Sequence, residues 1–95
     1  MRIISQDGMK DFPYEKTSFE VRNKSDKAIK KAFIKAFMFG DEFGIIMAEY
    51  STPERAVKEL ENMRNEYEMA EMYKYDEQYR LSTNYRRFCF QFPQE

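Results

Sequence analysis

The sequence holds no histidine, no tryptophan and one cysteine in 95 residues, with three glycines, three prolines and no long apolar run. Each shortage excludes something. Without histidine the chain lacks the commonest general base and the commonest metal ligand. With a single cysteine as well, it cannot assemble a zinc site of the usual composition from its own residues. A Ser–His–Asp triad is impossible, and Cys89 has no imidazole to activate it, so a nucleophilic thiol is not expected. One cysteine makes no intrachain disulfide. The glycines, at positions 8, 40 and 44, form neither a phosphate loop nor a dinucleotide fingerprint and read as turn residues. Asp41-Glu42 is an acidic pair beside a glycine, without the spacing of a calcium loop. No enzyme activity, metal or cofactor is therefore expected. No apolar run approaches the roughly 20 residues that span a bilayer, and Met1 to Gly8 carries no signal-peptide core. With the unpaired Cys89, this gives the expectation of a cytoplasmic protein.

What is present belongs to a folded domain. The chain is 42% hydrophobic, 35% charged and 17% aromatic, with nine phenylalanines and seven tyrosines. A disordered chain would be poor in aromatics, and this length suits a single domain over residues 1–95. The formal charge of −1 conceals a polarity: residues 1–40 carry +4, residues 41–79 carry −7 and residues 80–95 carry +2. An acidic helix face against basic strands would produce this pattern, and such a face can also meet a basic partner.

Local signals divide the chain into elements. Arg2 to Ser5 is short and apolar, and Asp7-Gly8 follows as a tight-turn pair, with an extended return through Phe12-Pro13-Tyr14. Pro13 cannot donate to a ladder and suits an edge or a strand end. Thr17 to Arg22 alternates as a half-buried strand does, and Asn23 to Asp26 reads as a polar break. Residues 28–39 fit either a helical stripe (Ile29, Phe33, Ala36, Phe37) or a strand. A hairpin is favoured, turning at Gly40-Asp41-Glu42 into a strand over Phe43 to Tyr50. A helix starts at Ser51-Thr52-Pro53-Glu54, where either Ser51 with Glu54 or Thr52 before Pro53 can supply the cap. Ala56, Leu60, Met63, Tyr67 and Ala70 then recur at helical spacing to about Tyr73, with Glu54–Lys58 as a supporting pair. Residues 74–84 read as a loop or frayed helix end. Tyr85 to Phe92 alternates, with Phe88, Phe90 and Phe92 on one face and Cys89 on the other. The expected fold is α+β: a mostly antiparallel sheet of four to five strands with one long amphipathic helix packed on one face. The helix stripe would cover Phe88, Phe90, Phe92, Ile3, Val21 and Ile45 or Ile46.

Two sets of residues are candidates for binding. Glu59, Glu66, Glu68 and Glu71 on the helix, with Tyr73, Tyr75, Asp76 and Tyr79 beyond them, combine acids with the tyrosines and methionines favoured at interfaces. Lys24, Lys27, Lys30, Lys31 and Lys35, with Arg86 and Arg87, form the alternative, a basic set beside aromatic residues suited to nucleic acid. The sequence pI of about 5.6 counsels against that alternative, since basic footprints raise the pI.

Met1-Arg2-Ile3-Ile4-Ser5-Gln6-Asp7-Gly8 followed by Pro13-Tyr14-Glu15 resembles the opening of a small, largely uncharacterised family of proteins from phages and integrative elements of Gram-positive bacteria. Ala48-Glu49-Tyr50-Ser51-Thr52-Pro53-Glu54-Arg55-Ala56 is similar to that family's strand-to-helix junction, and Phe90-Gln91-Phe92-Pro93-Gln94-Glu95 to its closing motif. The resemblance implies a compact α+β domain of mobile-element origin and carries over no catalytic residue. By analogy with small proteins of such elements, it implies an inhibitor of a host defence component. The most concrete form is an anti-CRISPR protein that occludes the basic nucleic-acid groove of an effector nuclease or its guide RNA complex. A small nucleic-acid-binding regulator of the element, and a homodimeric accessory protein, are the alternatives.

Overall fold

The computed structural model describes residues 1–26, 29–75 and 89–95. Its elements are the strands β1 (Arg2–Ile4), β2 (Asp11–Pro13), β3 (Thr17–Asp26), β4 (Ile29–Met38) and β5 (Ile45–Tyr50), the helix α1 (Pro53–Tyr75), and the strand β6 (Cys89–Gln91). The class is α+β, but the strands form two sheets of three rather than one sheet of four to five. Their orders are β2-β1-β6 and β3-β4-β5. The second sheet is antiparallel throughout, whereas β1 pairs with β6 in parallel. The division occurs where Pro13 ends β2 and a short 3-10 turn over Tyr14–Lys16 redirects the chain. The β1–β2 ladder runs one bond past Pro13, where the Tyr14 N–H donates to Met1 O at 2.9 Å, and after the turn β3 pairs with β4 rather than with the first sheet.

The first turn forms as expected. The Gly8 N–H donates to Ser5 O at 2.9 Å with Gly8 at φ 76°, a left-handed conformation that glycine adopts without penalty. Residues 29–38 are a strand, and the ten-residue ladder from Thr17↔Met38 to Asp26↔Ile29 carries β3 straight through Asn23 to Asp26. The polar break expected there is absent because backbone pairing outweighs the weak strand propensity of Asn, Ser and Asp. The strand expected from Phe43 starts only at Ile45. Asp41 intervenes, its Oδ1 accepting from the N–H groups of Phe43 at 3.0 Å and Gly44 at 3.1 Å.

Along β4, Ala32, Ile34 and Ala36 are buried and alternate with the half-buried Phe33, Lys35 and Phe37. Their partners on β5 are set by a bulge. Ile34 faces Ala48 but Lys35 faces Ile46, leaving Met47 unmatched. A bulge re-aims the side chains around it, and so Met47 and Ala48 are both buried while Ile46 is 45% exposed. Of the two alternatives expected under the helix, Ile45 is the half-buried one and Ile46 faces solvent.

The Thr52 cap is the one that forms. Thr52 Oγ1 accepts the Arg55 N–H at 3.2 Å, with Pro53 as the first helical residue. Ser51 instead turns to Glu95, which accepts from both its N–H and its hydroxyl. The Glu54–Lys58 pair does not close; the ion pair in this turn is Arg55–Glu59 at 3.2 Å. As the spacing predicts, Ala56, Leu60 and Met63 are buried and Tyr67 and Ala70 half-buried. They pack across β3, β4 and β5. Ile3 and Phe92, from the first sheet and the segment after β6, complete the same core, with Val21 and Phe90 partly buried beside it. Phe88 lies outside the described residues.

Gln6 joins the sheets. Its backbone N–H donates to Met47 O at 2.7 Å. Its Oε1 accepts from the Glu49 N–H at 3.0 Å, and its Nε2 donates to Glu49 O at 3.2 Å and Pro93 O at 3.0 Å. Removing these side-chain bonds in Gln6→Ala should cost about 1–3 kcal/mol. For a domain of this size that is a fall in Tm of roughly 4–8 °C per kcal/mol, readable by circular dichroism. Gly44 has φ 72°, and a Cβ there would sit 2.6 Å from Phe37 Cε1. Gly44→Ala should therefore destabilise by at least about 1–2 kcal/mol from the backbone conformation alone, measured as a lowered urea midpoint.

Candidate interaction surfaces

The acids of α1 do not share one surface. At about 100° per residue, Glu59 and Glu66 lie on one flank of the buried stripe and Glu71 on the other. Glu59 is 5% exposed. It pairs with Arg55 and accepts from Asn62 Nδ2 at 3.4 Å. It is a positioning group for the Tyr50–Arg55 corner, where the Arg55 guanidinium sits 5.7 Å from the Tyr50 ring centroid. Its expected role as a partner-facing acid is corrected, because helix rotation places it at the sheet rather than in solvent. Glu66 and Glu71 are half-buried and engaged in contacts of their own. Glu68 is exposed, and it continues an outward stripe with Glu54 and Glu61 at seven-residue spacing. Val57 and Met72, 45% and 67% exposed, border this stripe. Glu54, expected in a cap or in a pair with Lys58, is in register with Glu61 and Glu68, and that seven-residue spacing is the sequence signal for the stripe.

Of the remaining expected residues, Tyr73 and Tyr75 are in the last turn of α1, and Asp76 and Tyr79 lie outside the described residues. Lys24 and Lys30 fall on β3 and β4, and Lys27, Arg86 and Arg87 lie outside the described residues. Lys31 and Lys35 do share the outer face of β4 with Phe33 and Phe37. However, Lys31 pairs with Glu49 at 2.8 Å, and Lys35 Nζ donates to Phe43 O at 3.4 Å. Arg22, on the same face, pairs with Glu20 at 2.6 Å and lies 5.7 Å from the Phe37 ring centroid. Of the basic set, Lys31 is thus paired with a carboxylate and Lys35 with a backbone carbonyl.

The β4–β5 connection, expected as a hairpin turn at Gly40-Asp41-Glu42, presents two phenylalanines to solvent. Phe39 is fully exposed and Phe43 is 82% exposed. They are held out by a turn in which the Asp41 N–H donates to Met38 O at 2.9 Å while its carboxylate takes the Phe43 and Gly44 N–H groups. Two large aromatics in water on a hydrogen-bonded turn are the kind of side chain that anchors an interface. Met38 pairs with Thr17, and Thr17 lines a cleft of about 210 Å³ with Tyr14, Phe19, Met63 and Arg64. Tyr67 stacks on Tyr14 at 3.9 Å between centroids. The turn and the second half of α1 thus lie toward the same end of the molecule. The cleft is below the roughly 300–1,000 Å³ of pockets for drug-sized ligands. Among the described residues, no group of three or more acidic or cysteine side chains is placed to hold a metal ion, and no helix is long and apolar enough to cross a membrane.

Ionisation follows the hydrogen bonds. The Ser5 hydroxyl and the Met9 N–H hold the Asp7 carboxyl below its ordinary value, and Ser51 does the same for Glu95. The Glu49 carboxylate raises Lys31, and burial, reinforced by Glu59, pushes Tyr50 up to about 12. The Tyr50 hydroxyl donates to Pro93 O at 2.8 Å. Carboxylates depressed on folding stabilise above their unfolded values and lose that contribution as pH falls through the folded ones. Groups raised on folding stabilise below their unfolded values and lose that as pH rises. The urea midpoint should therefore decline below about pH 5. It should decline again above the ordinary tyrosine value of 10.0 toward about 12. Asp7→Asn should flatten the acid limb and leave the alkaline limb unchanged.

No family model, curated protein or solved structure matches this chain.

Proposed function

We propose that the chain is a non-enzymatic binding protein of a phage or integrative element that inhibits a host defence component, most concretely a CRISPR effector nuclease. The observation that carries the binding role is the Asp41 turn, which holds Phe39 and Phe43 in solvent. A buried-aromatic anchor can contribute 2 kcal/mol or more to an interface, roughly a thirtyfold change in affinity. The target class is supported by the outward stripe of Glu54, Glu61 and Glu68, whose charge complements a groove built to hold phosphates. The mobile-element origin rests on the resemblance of the three quoted segments. In this reading the phenylalanines seat in an apolar pocket beside the groove. The helix carboxylates then occupy its rim and exclude the nucleic acid.

A pull-down of the purified effector, with and without its guide RNA, tests this reading. The wild type should be retained at low salt and released as salt rises. Phe39→Ala with Phe43→Ala should weaken retention at every salt concentration. Glu61→Lys with Glu68→Lys should remove the salt dependence. No retention at low salt sinks the effector assignment, and retention indifferent to both pairs of changes sinks the proposed surface.

A further inference from the structure

The two edges of the β3-β4-β5 sheet are treated differently. The β5 edge is closed by Gln6, whose backbone and side chain take up Met47 O and both backbone groups of Glu49. The β3 edge is ten residues long, and among the described residues no strand pairs with it. Free edges of this length invite another strand, and natural proteins usually blunt them with charge. The described charges near the middle of β3 are Glu20 and Arg22, on the outer face, 48% and 58% exposed at their side chains and of opposite sign. That arrangement blunts pairing with most strands. It is self-complementary with a reversed copy of itself.

We propose that β3 is a dimerisation edge, on which two copies of the chain pair their β3 strands antiparallel about a two-fold axis at Val21. The two three-stranded sheets would become one continuous sheet of six. The register follows from charge. An axis perpendicular to the sheet keeps the outer faces together and sets residues of equal parity opposite one another. Centred on Val21, it places Glu20 against Arg22 of the copy and Arg22 against Glu20 of the copy, with Val21 facing itself on the inner side. Directly opposed side chains in an antiparallel pair have Cβ atoms about 4.5–5.5 Å apart, where opposite charges stabilise and like charges repel. Centring on Glu20 would oppose Glu20 to itself, and centring on Arg22 would oppose Arg22 to itself. The internal Glu20–Arg22 pair then becomes half of a four-charge square of alternating sign. The interface is isologous and closes at two copies, because pairing consumes the free edge of each.

The test exchanges the charges. Wild type should sediment at twice the 11.6 kDa chain mass. Glu20→Arg and Arg22→Glu, each leaving four like charges at the axis, should each sediment as the single chain. An equimolar mixture of the two variants should return to the doubled mass, since every charge then meets its opposite. A monomeric wild type, a variant that stays dimeric, or a mixture that fails to recover overturns the proposal. Circular dichroism checks that each variant is folded. If either is not, Val21→Cys in a Cys89→Ser background decides instead. Mild oxidation should link it into a dimer through residue 21, and a chain that stays unlinked overturns the proposal.

Discussion

The side-chain amide of Gln6 occupies the place that a neighbouring peptide group would take beside β5, and the relation between the two sheets depends on it. Through its two ends it receives the Glu49 N–H and donates to Glu49 O and Pro93 O. Gln94 Nε2 returns to Gln6 O at 2.7 Å, and the Phe92 N–H donates to Ile4 O at 3.1 Å. Each bond near the surface contributes modestly, about 1 kcal/mol or less net. Their value is geometric. They hold residues 92–95 against both β1 and the β5–α1 junction, which seats Phe92 in the core and lets Glu95 meet Ser51. Residues 1–8, 48–56 and 90–95 are the segments that this knot brings together. Their residue types therefore have a structural explanation, and the surfaces that would bind a partner lie mainly outside them.

That separation shapes the functional reading. The interior is assembled from the amphipathic stripe of α1, the inner faces of β3, β4 and β5, Ile3 of β1 and Phe92 just after β6. What remains for interaction is the outside: the stripe of Glu54, Glu61 and Glu68, the Phe39–Phe43 turn, and the edge of β3. The three features differ in physical kind. Carboxylates act at a distance and are screened by salt. Aromatics act only on contact, once desolvated. A strand edge acts through backbone hydrogen bonds whose register is set by side-chain charge. A small protein can thus carry specificity for more than one partner without overlapping its surfaces.

Much of the local structure was legible before folding was considered. Asp7-Gly8 marks the first turn, Thr52-Pro53 the helix start, and Ala56, Leu60, Met63 and Tyr67 the buried stripe, because each depends on residues within one or two turns of the chain. The candidate site was legible only in part. Glu68 is exposed as expected, but Glu59 is buried, a difference set by a few tens of degrees of helix rotation against the sheet. The exposure of Phe39 and Phe43 was not legible, since phenylalanines beside a strand have the pattern of core residues and only the backbone of the turn points them outward.

The sequence by itself determined the first turn, the helix start and the helix stripe, and it fixes the lack of histidine and of a second cysteine. Absent histidine and unpaired cysteine are facts of composition, and periodicity of 3.6 or 2 residues is a local property. Only the tertiary structure decided that the strands divide into two sheets after β2, that Asn23 to Asp26 stay in a strand, and that a bulge at Met47 turns Ile46 to solvent. Each of these depends on a partner distant in sequence. A ladder, a bulge or a shared side-chain amide stabilises a residue through the strand it meets, and the choice of that strand belongs to the folded chain as a whole.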